Sequence, residues 1–236
     1  MQHIMGLVRR CAEDYNMINE GDRIAVGVSG GKDSLALLDA MARMREYFPK
    51  KYHLEAITLD LGFDGMDFTP VEKFCRDADI PFTLVETQIK QIVFDHRKEK
   101  NPCSMCAKMR RGALNKAAVA NGCNKVALGH HFDDAVETFL MSLFYEGRIS
   151  CFQPVTELDR SGITQIRPLL YVGEKKIASY AEKNLPVVHN TCPADKHTQR
   201  EEVKELIVEL SKKYPDLKTK VFGSMQRFPL PYWGIE

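Results

Sequence analysis

Five short runs rich in β-branched and other apolar residues punctuate the chain: Ile24–Ser29, Leu54–Leu61, Phe82–Glu86, Lys125–Gly129 and Thr164–Leu169. Each has the length of a buried strand and is too short for a core helix. Between them lie stretches of helical periodicity at Ser34–Tyr47, Pro70–Ala78, Cys106–Ala120, Asp134–Tyr145 and Glu174–Lys183. Parallel strands need crossover connections, and runs that are apolar on both faces belong in a sheet covered on both sides. The alternation therefore predicts an α/β fold, a mostly parallel five-stranded sheet with helices on both faces. A helix over Ile4–Tyr15 and a long charged helix over Thr198–Tyr214 stand outside the alternation as N-terminal and C-terminal helical additions. The closing Phe228-Pro-Leu-Pro-Tyr-Trp-Gly234 is barred from regular structure by its two prolines and is expected to lie as a tail over a groove.

No Pro/Gly/Ser-rich linker and no internal repeat divides the 236 residues. One domain is expected over residues 1–236, with an N-terminal helix in 1–20, the α/β core in 21–195, and the C-terminal helix and tail in 196–236. Lys and Arg exceed Asp and Glu by one, so the bulk charge points neither to a nucleic-acid coat nor to a membrane surface. No run approaches the roughly 18 apolar residues of a spanning helix, and the N-terminus has no secretory pattern. The expected location is cytoplasmic, with no membrane partner. Seven cysteines, an odd number, argue for thiol, metal or redox chemistry over a disulfide framework.

The first predicted strand runs directly into Ser29-Gly30-Gly31-Lys32-Asp33-Ser34 and then into a helix. Two glycines let the backbone turn and bring successive N–H groups to an anion, and a helix N-terminus adds unpaired N–H groups and positive potential. Ser29 and Ser34 add hydroxyls and Lys32 a positive charge. The pattern suits phosphate or pyrophosphate. It is not a Walker A loop, because Asp33 follows Gly31-Lys32, and Gly27 and Ser29 break the dinucleotide pattern. The second strand ends at Leu59 and Asp60, on the edge where open α/β sheets bind ligands. The fourth ends in Gly129-His130-His131-Phe132-Asp133-Asp134. There Asp133 is the expected Mg²⁺ or substrate ligand, and Asp134 the helix cap.

Cys103 and Cys106 stand three apart at the start of a helix, so both thiols share one side and the helix dipole favours thiolate. Cys192, in Val187-Val-His-Asn-Thr-Cys-Pro193 and near the end of a further strand-like run, is a third candidate. Three thiolates fit a [4Fe–4S] cluster with one open iron; with His189 or His197 they fit tetrahedral Zn²⁺; and the pair alone fits a redox dithiol. Around the pair, residues 95–116 carry +5 against −4 for the remainder of the chain, a local patch compatible with RNA phosphates. Cys11, Cys75, Cys123 and Cys151 match no motif and read as buried hydrophobes.

Taken together, Ser29–Ser34, Cys-Ser-Met-Cys-Ala-Lys-Met-Arg-Arg-Gly at 103–112, Ala-Leu-Gly-His-His-Phe-Asp-Asp at 127–134 and Phe-Tyr-Glu-Gly at 144–147 resemble the tRNA 2-thiocytidine synthetase (TtcA) family of PP-loop ATP pyrophosphatases. Ile-Arg-Pro-Leu at 166–169, Asn-Thr-Cys at 190–192 and Phe-Gly-Ser-Met-Gln at 222–226 extend the resemblance almost end to end. It implies an ATP-dependent sulfurtransferase that adenylates a tRNA base, C2 of an anticodon-loop cytidine, and replaces oxygen with sulfur. The implied cofactors are ATP, Mg²⁺ and a [4Fe–4S] cluster on Cys103, Cys106 and Cys192. Ser29–Ser34 would surround the ATP phosphates, with Leu59, Asp60, Gly129 and His130 completing the nucleotide site, and Arg110 and Asp133 would face the reacting base. The implied partners are tRNA and a sulfur donor, either a cysteine desulfurase or free sulfide, with room for a homodimer. The rivals are a lysidine-type or 2-thiouridine-type PP-loop enzyme and a non-catalytic Fe–S or zinc sensor of nucleotide.

Overall fold

A computed structural model describes residues 1–96, 102–189, 191–192 and 199–227, without the side chains of 95 and 96. Eight helices and six strands are found among them: α1 (Gln2–Asp14), β1 (Asp22–Gly27), α2 (Lys32–Met44), β2 (Tyr52–Asp60), α3 (Thr69–Asp77), β3 (Phe82–Glu86), α4 (Pro102–Ala120), β4 (Lys125–Ala127), α5 (Phe132–Glu146), β5 (Val155–Leu158), β6 (Ile163–Ile166), α6 (Glu174–Asn184), α7 (Gln199–Lys213) and α8 (Leu217–Arg227). The strands form one sheet in the order β3-β2-β1-β4-β6-β5. All pairings are parallel except β5–β6.

The five-stranded expectation is thus one strand short. Val155–Leu158 forms an antiparallel hairpin with β6, and its four residues, three half-buried and one exposed, carry too little periodicity to declare themselves without that partner. The run expected to stay extended to Leu169 turns at Pro168 into a short 3₁₀ segment. Beyond the turn at Pro215 the chain resumes as α8, and a π-helical turn over Gln91–His96 precedes α4; neither was anticipated. Val187–Val188 forms no strand. The Phe228–Gly234 tail lies outside the described residues.

Side-chain alternation along the strands divides the core. Ile24, Val26 and Val28 of the β1 segment, Ala56, Ala127 and Ile166 face the larger cluster, which takes in buried residues of α1, α2, α3, α5 and α6 to α8. Ala25, Ile57, Val126 and Ile163 face the other way, onto Leu114 and Ala118 of α4. Helices cover both faces, as expected, but unevenly, with α4 providing the helical cover of the second. Cys11, Cys75 and Cys123 are buried and Cys151 is half-buried; burial pushes the Cys75 thiol up to about 11 and the Cys151 thiol up to about 12.

At the amino edge of the sheet Lys125 Nζ lies 2.8 Å from Asp22 and donates to the Met17 carbonyl at 2.8 Å, while Asn124 donates to Asp22 at 2.7 Å. Burial pushes the Asp22 carboxyl up, but Lys125, the Asn19 N–H and Asn124 together hold it below its ordinary value. Removing one partner of such a pair strands the other. Lys125→Met is expected to cost about 3–5 kcal/mol at neutral pH in urea unfolding. Because the folded carboxyl is the stronger acid, Asp22's contribution is present above its unfolded pKa and fades as the pH falls through the folded value. A wild-type-like midpoint for Lys125→Met would remove the pair from the stability of the fold.

Candidate active site at the carboxyl edge

Beyond β1 the chain is tied to β2, with Val28 N–H donating to the Ile57 carbonyl and Thr58 Oγ1 to the Val28 carbonyl, both at 2.8 Å. It then folds back on itself. Ser29 N–H donates to Ser34 Oγ at 3.1 Å, and that hydroxyl donates to the Gly31 carbonyl at 2.9 Å. Gly31 is the N-cap of α2 and no side chain caps this helix, so its first N–H groups remain available to an anion. Gly30 sits at φ +82°, and its carbonyl accepts from Val188 N–H at 2.9 Å; a Cβ there would stand 2.9 Å from Val188 Cβ. On the other flank a Cβ at Gly129 would meet Ser34 N at 3.1 Å, so β4 presses directly against the start of α2.

A cavity of about 820 Å³ opens over this loop. Ser29, Gly31, Asp33 and Ser34 form its floor, and the end of β2 with the turn beyond supplies an apolar wall of Leu59, Leu61, Phe63 and Phe68. The opposite side comes from α4, β4, β6 and the segment before β5, with Lys108, Arg110, Arg111, His130, Phe152 and Arg167. Leu59, Gly129, His130 and Arg110 all line this cavity. Burial, then the charge of Arg167, pulls His130 down to about 4, so its ring is neutral at physiological pH. Asp33 Oδ1 is buried without a hydrogen bond.

Other expected residues have different duties. Lys32 does not line the cavity; its Nζ is 3.0 Å from Asp33 and 3.2 Å from Glu174, and Lys204 lies 3.3 Å from the same glutamate. Asp60 accepts from Gly62 N–H at 2.8 Å and shapes a turn. Asp133, expected as a catalytic or Mg²⁺ residue, is engaged within the protein in this structure. Its carboxylate accepts from Glu174 N–H at 2.7 Å, capping α6, and pairs with Lys218 Nζ at 2.5 Å, and it does not line the cavity. A helix-opening Asp can serve any nearby donor, and a partner 85 positions away is invisible locally. The cap of α5 is His131, whose Nδ1 accepts from Asp134 N–H while Asp134 Oδ2 accepts from His131 N–H, so Asp134 is the return half of a capping box.

Helix α4 begins at Pro102, which places both Cys103 and Cys106 in its first turns. Cys103 is exposed and Cys106 is buried against Ile89 and Val93. Burial pushes the Cys106 thiol up, the Arg110 guanidinium pulls it down, and the charges of Cys192 and Cys103 push it up again. Cys192 and Cys103 are therefore each within electrostatic reach of Cys106. Among the described residues no three His, Cys, Asp or Glu side chains close on a single metal ion. A cluster of several irons is wider than one ion, so the cysteines that bridge it stand further apart, and a donor set of three thiolates matches iron–sulfur preference. Arg97, Lys98 and Lys100 of the basic patch, and His197, lie outside the described residues.

Sequence reasoning missed the wall residues Lys108, Phe152 and Arg167 as parts of the cavity, although Lys108 had been counted in the basic patch and Arg167 in a family block. It also missed Glu174, whose position at the start of a charged helix gave no signal.

A strand, an uncapped Gly-Gly turn and a helix at the carboxyl edge of a parallel sheet define a PP-loop nucleotide-binding protein, and residues 5–210 match the family described as the PP-loop domain. Curated relatives named tRNA-cytidine(32) 2-sulfurtransferase are similar over nearly the whole chain. That of Geobacter sulfurreducens is 38% identical over 94% of this chain and 88% of its own length, and that of Geobacter metallireducens 39% identical over 92% and 86%. The chain belongs to the tRNA-cytidine(32) 2-sulfurtransferase family. Among solved structures it is similar to the U34-tRNA thiolase NcsA from Methanococcus maripaludis with its [4Fe–4S] cluster, with a TM-score of 0.72 and 25% identity over 92% of this chain and 75% of that one. The NH₃-dependent NAD synthetase of Campylobacter jejuni, at a TM-score of 0.51 and 14% identity over 95% and 92%, shares the fold.

The closeness of Val188 to Gly30 gives a direct test. Gly30→Ala puts a methyl both at a positive φ and against Val188, which is expected to cost about 1–3 kcal/mol and to lower ATP affinity at least tenfold, read by thermal melting and calorimetry. Wild-type nucleotide affinity in that variant would show that the contact does not shape the loop.

Proposed function

We propose that this protein is an ATP-dependent tRNA sulfurtransferase that adenylates a tRNA base, C2 of an anticodon-loop cytidine, and exchanges the oxygen for sulfur. The observation that carries the reading is the joining of the two halves of that chemistry at one sheet edge. Val188, hydrogen-bonded to the phosphate loop, stands four residues before Cys192, and α4, which lines the cavity, carries Cys103 and Cys106. Family membership supports a tRNA thiolation enzyme working as one PP-loop domain.

In this reading the base oxygen attacks the α-phosphorus of ATP and pyrophosphate leaves. The N–H groups of Gly31 to Ser34 and the Ser29 hydroxyl receive the departing phosphates, and Lys32 exchanges Glu174 for them. Asp33 Oδ1, without a hydrogen bond and 3.7 Å from His131 Nε2, is the ligand for Mg²⁺, a hard cation that keeps one or two carboxylates beside phosphate oxygens. Cys103, Cys106 and Cys192 hold the [4Fe–4S] cluster, which when bound supplies an iron position not taken by protein where a sulfur nucleophile can be presented. Sulfur at the sulfide level, free or released from a desulfurase persulfide by a two-electron reductant, displaces AMP at C2. Arg110, on the cavity side of α4, faces the activated base; Lys108 and Arg111 meet RNA phosphates. The setting is cytoplasmic, with a homodimer compatible. Among the described residues no helix is long and apolar enough to cross a membrane.

Purified without oxygen, the protein is expected to carry about four irons per chain and to release pyrophosphate only when tRNA is present. Cys192→Ala should lose iron and thiolation while ATP binding stays within twofold. Release of orthophosphate, or zinc in place of iron, would sink the reading. Arg110→Ala should lower single-turnover thiolation at least a hundredfold with tRNA affinity within threefold, and equal losses in both would make Arg110 an ordinary phosphate contact.

A further inference from the structure

Arg167 follows β6, beside Leu128, whose N–H donates to the Ile166 carbonyl at 2.9 Å. It is 6% exposed and lines the cavity. One corner of its guanidinium is spoken for: Nη1 donates to the Gln153 carbonyl and to Thr156 Oγ1 at 3.2 Å. The plane lies over the Phe152 ring at 5.1 Å, and Phe152 in turn packs on His130 with centroids 4.8 Å apart. Nε has no hydrogen-bond partner, and among the described residues no carboxylate pairs with this cation. Its neighbours make matters worse, since the Arg111 charge opposes it and His130 is neutral.

A buried N–H without a partner and a buried charge without a counter-charge are both costly. One anionic oxygen brought from the cavity to the Nε–Nη2 edge removes both costs, and that edge is the fork with which arginine grips phosphate. Location says which phosphate. Arg167 lies two strands from the loop after β1, about 10 Å at normal strand spacing, on the side of Gly129 away from the N–H groups of α2. Pyrophosphate belongs to the loop. In an in-line displacement the transferred phosphoryl group lies between the leaving pyrophosphate and the acceptor, and Arg167 lines the same cavity beyond the loop.

We propose that Arg167 is an anion-binding residue for the phosphoryl group of AMP and of the adenylated base, distinct from the pyrophosphate site on the loop. The assignment deepens the adenylation reading and rests on it. It is tested on the holoprotein by calorimetry with AMP and with pyrophosphate separately, which requires no RNA. Arg167→Gln should weaken AMP at least tenfold and leave pyrophosphate within twofold, with Arg167→Lys intermediate. Thr156→Val, which removes only the structural hydrogen bond, should change neither. Equal weakening of both ligands, unchanged AMP affinity, or the same AMP loss in Thr156→Val would overturn the assignment and make Arg167 a strut for the Gln153–Thr156 segment. If Arg167→Gln melts below the assay temperature, Arg167→Lys carries the comparison under the same criteria. A loss of tRNA affinity with AMP binding intact would overturn it in favour of an RNA contact. A wild type that shows the AMP-specific loss on mutation but never thiolates would leave this site standing and remove the thiolation reading alone.

Discussion

A helix that starts without a side-chain cap leaves its first N–H groups unsatisfied, and the carboxyl edge of this sheet is arranged around that deficit at α2. Gly129 permits β4 to press on the backbone of Asp33 and Ser34, and Ser34 closes the turn onto Ser29 and Gly31. No side chain caps the helix, and the lysine of the loop is held to one side. Lys32 lies against Glu174, and Glu174 is steadied by Lys204 of α7. The electrostatics of the cradle therefore reach into helices far along the chain.

That dependence explains how much of the molecule is legible in the sequence. The alternation of apolar runs and helical patterns is a local signal, and it located β1 to β4 and α1 to α7 closely, because each element's burial pattern repeats within its own length. The phosphate loop was legible for the same reason, being contiguous. What escaped was set by distant partners. Val155–Leu158 is a strand only because β6 lies beside it, and Asp133 is a cap because Glu174 and Lys218 arrive from elsewhere. Asp133 reads as a cation ligand in the sequence and Asp33 as part of the phosphate loop; folding shows that Asp33 lines the cavity. Arg167 could be named but not understood, since the lack of a counter-charge is a property of the whole surroundings.

The two cysteine segments show the same division. The α4 pair is fixed by helical spacing, a local signal, whereas Val188, four residues before Cys192, is held by its hydrogen bond to the Gly30 carbonyl. In the proposed reading that contact couples the phosphate loop to the segment that carries the third thiol.

The Lys125–Asp22 pair lies at the amino edge of the sheet, a full strand length from the loop that follows β1. Much of what anchors the centre of the sheet is thereby removed from the edge that carries the chemistry. Substitutions that reshape the acceptor side of the cavity leave that anchor untouched. Such a scaffold tolerates change in what it modifies far more readily than change in how it folds, so new acceptor specificities are open to it at little risk to folding.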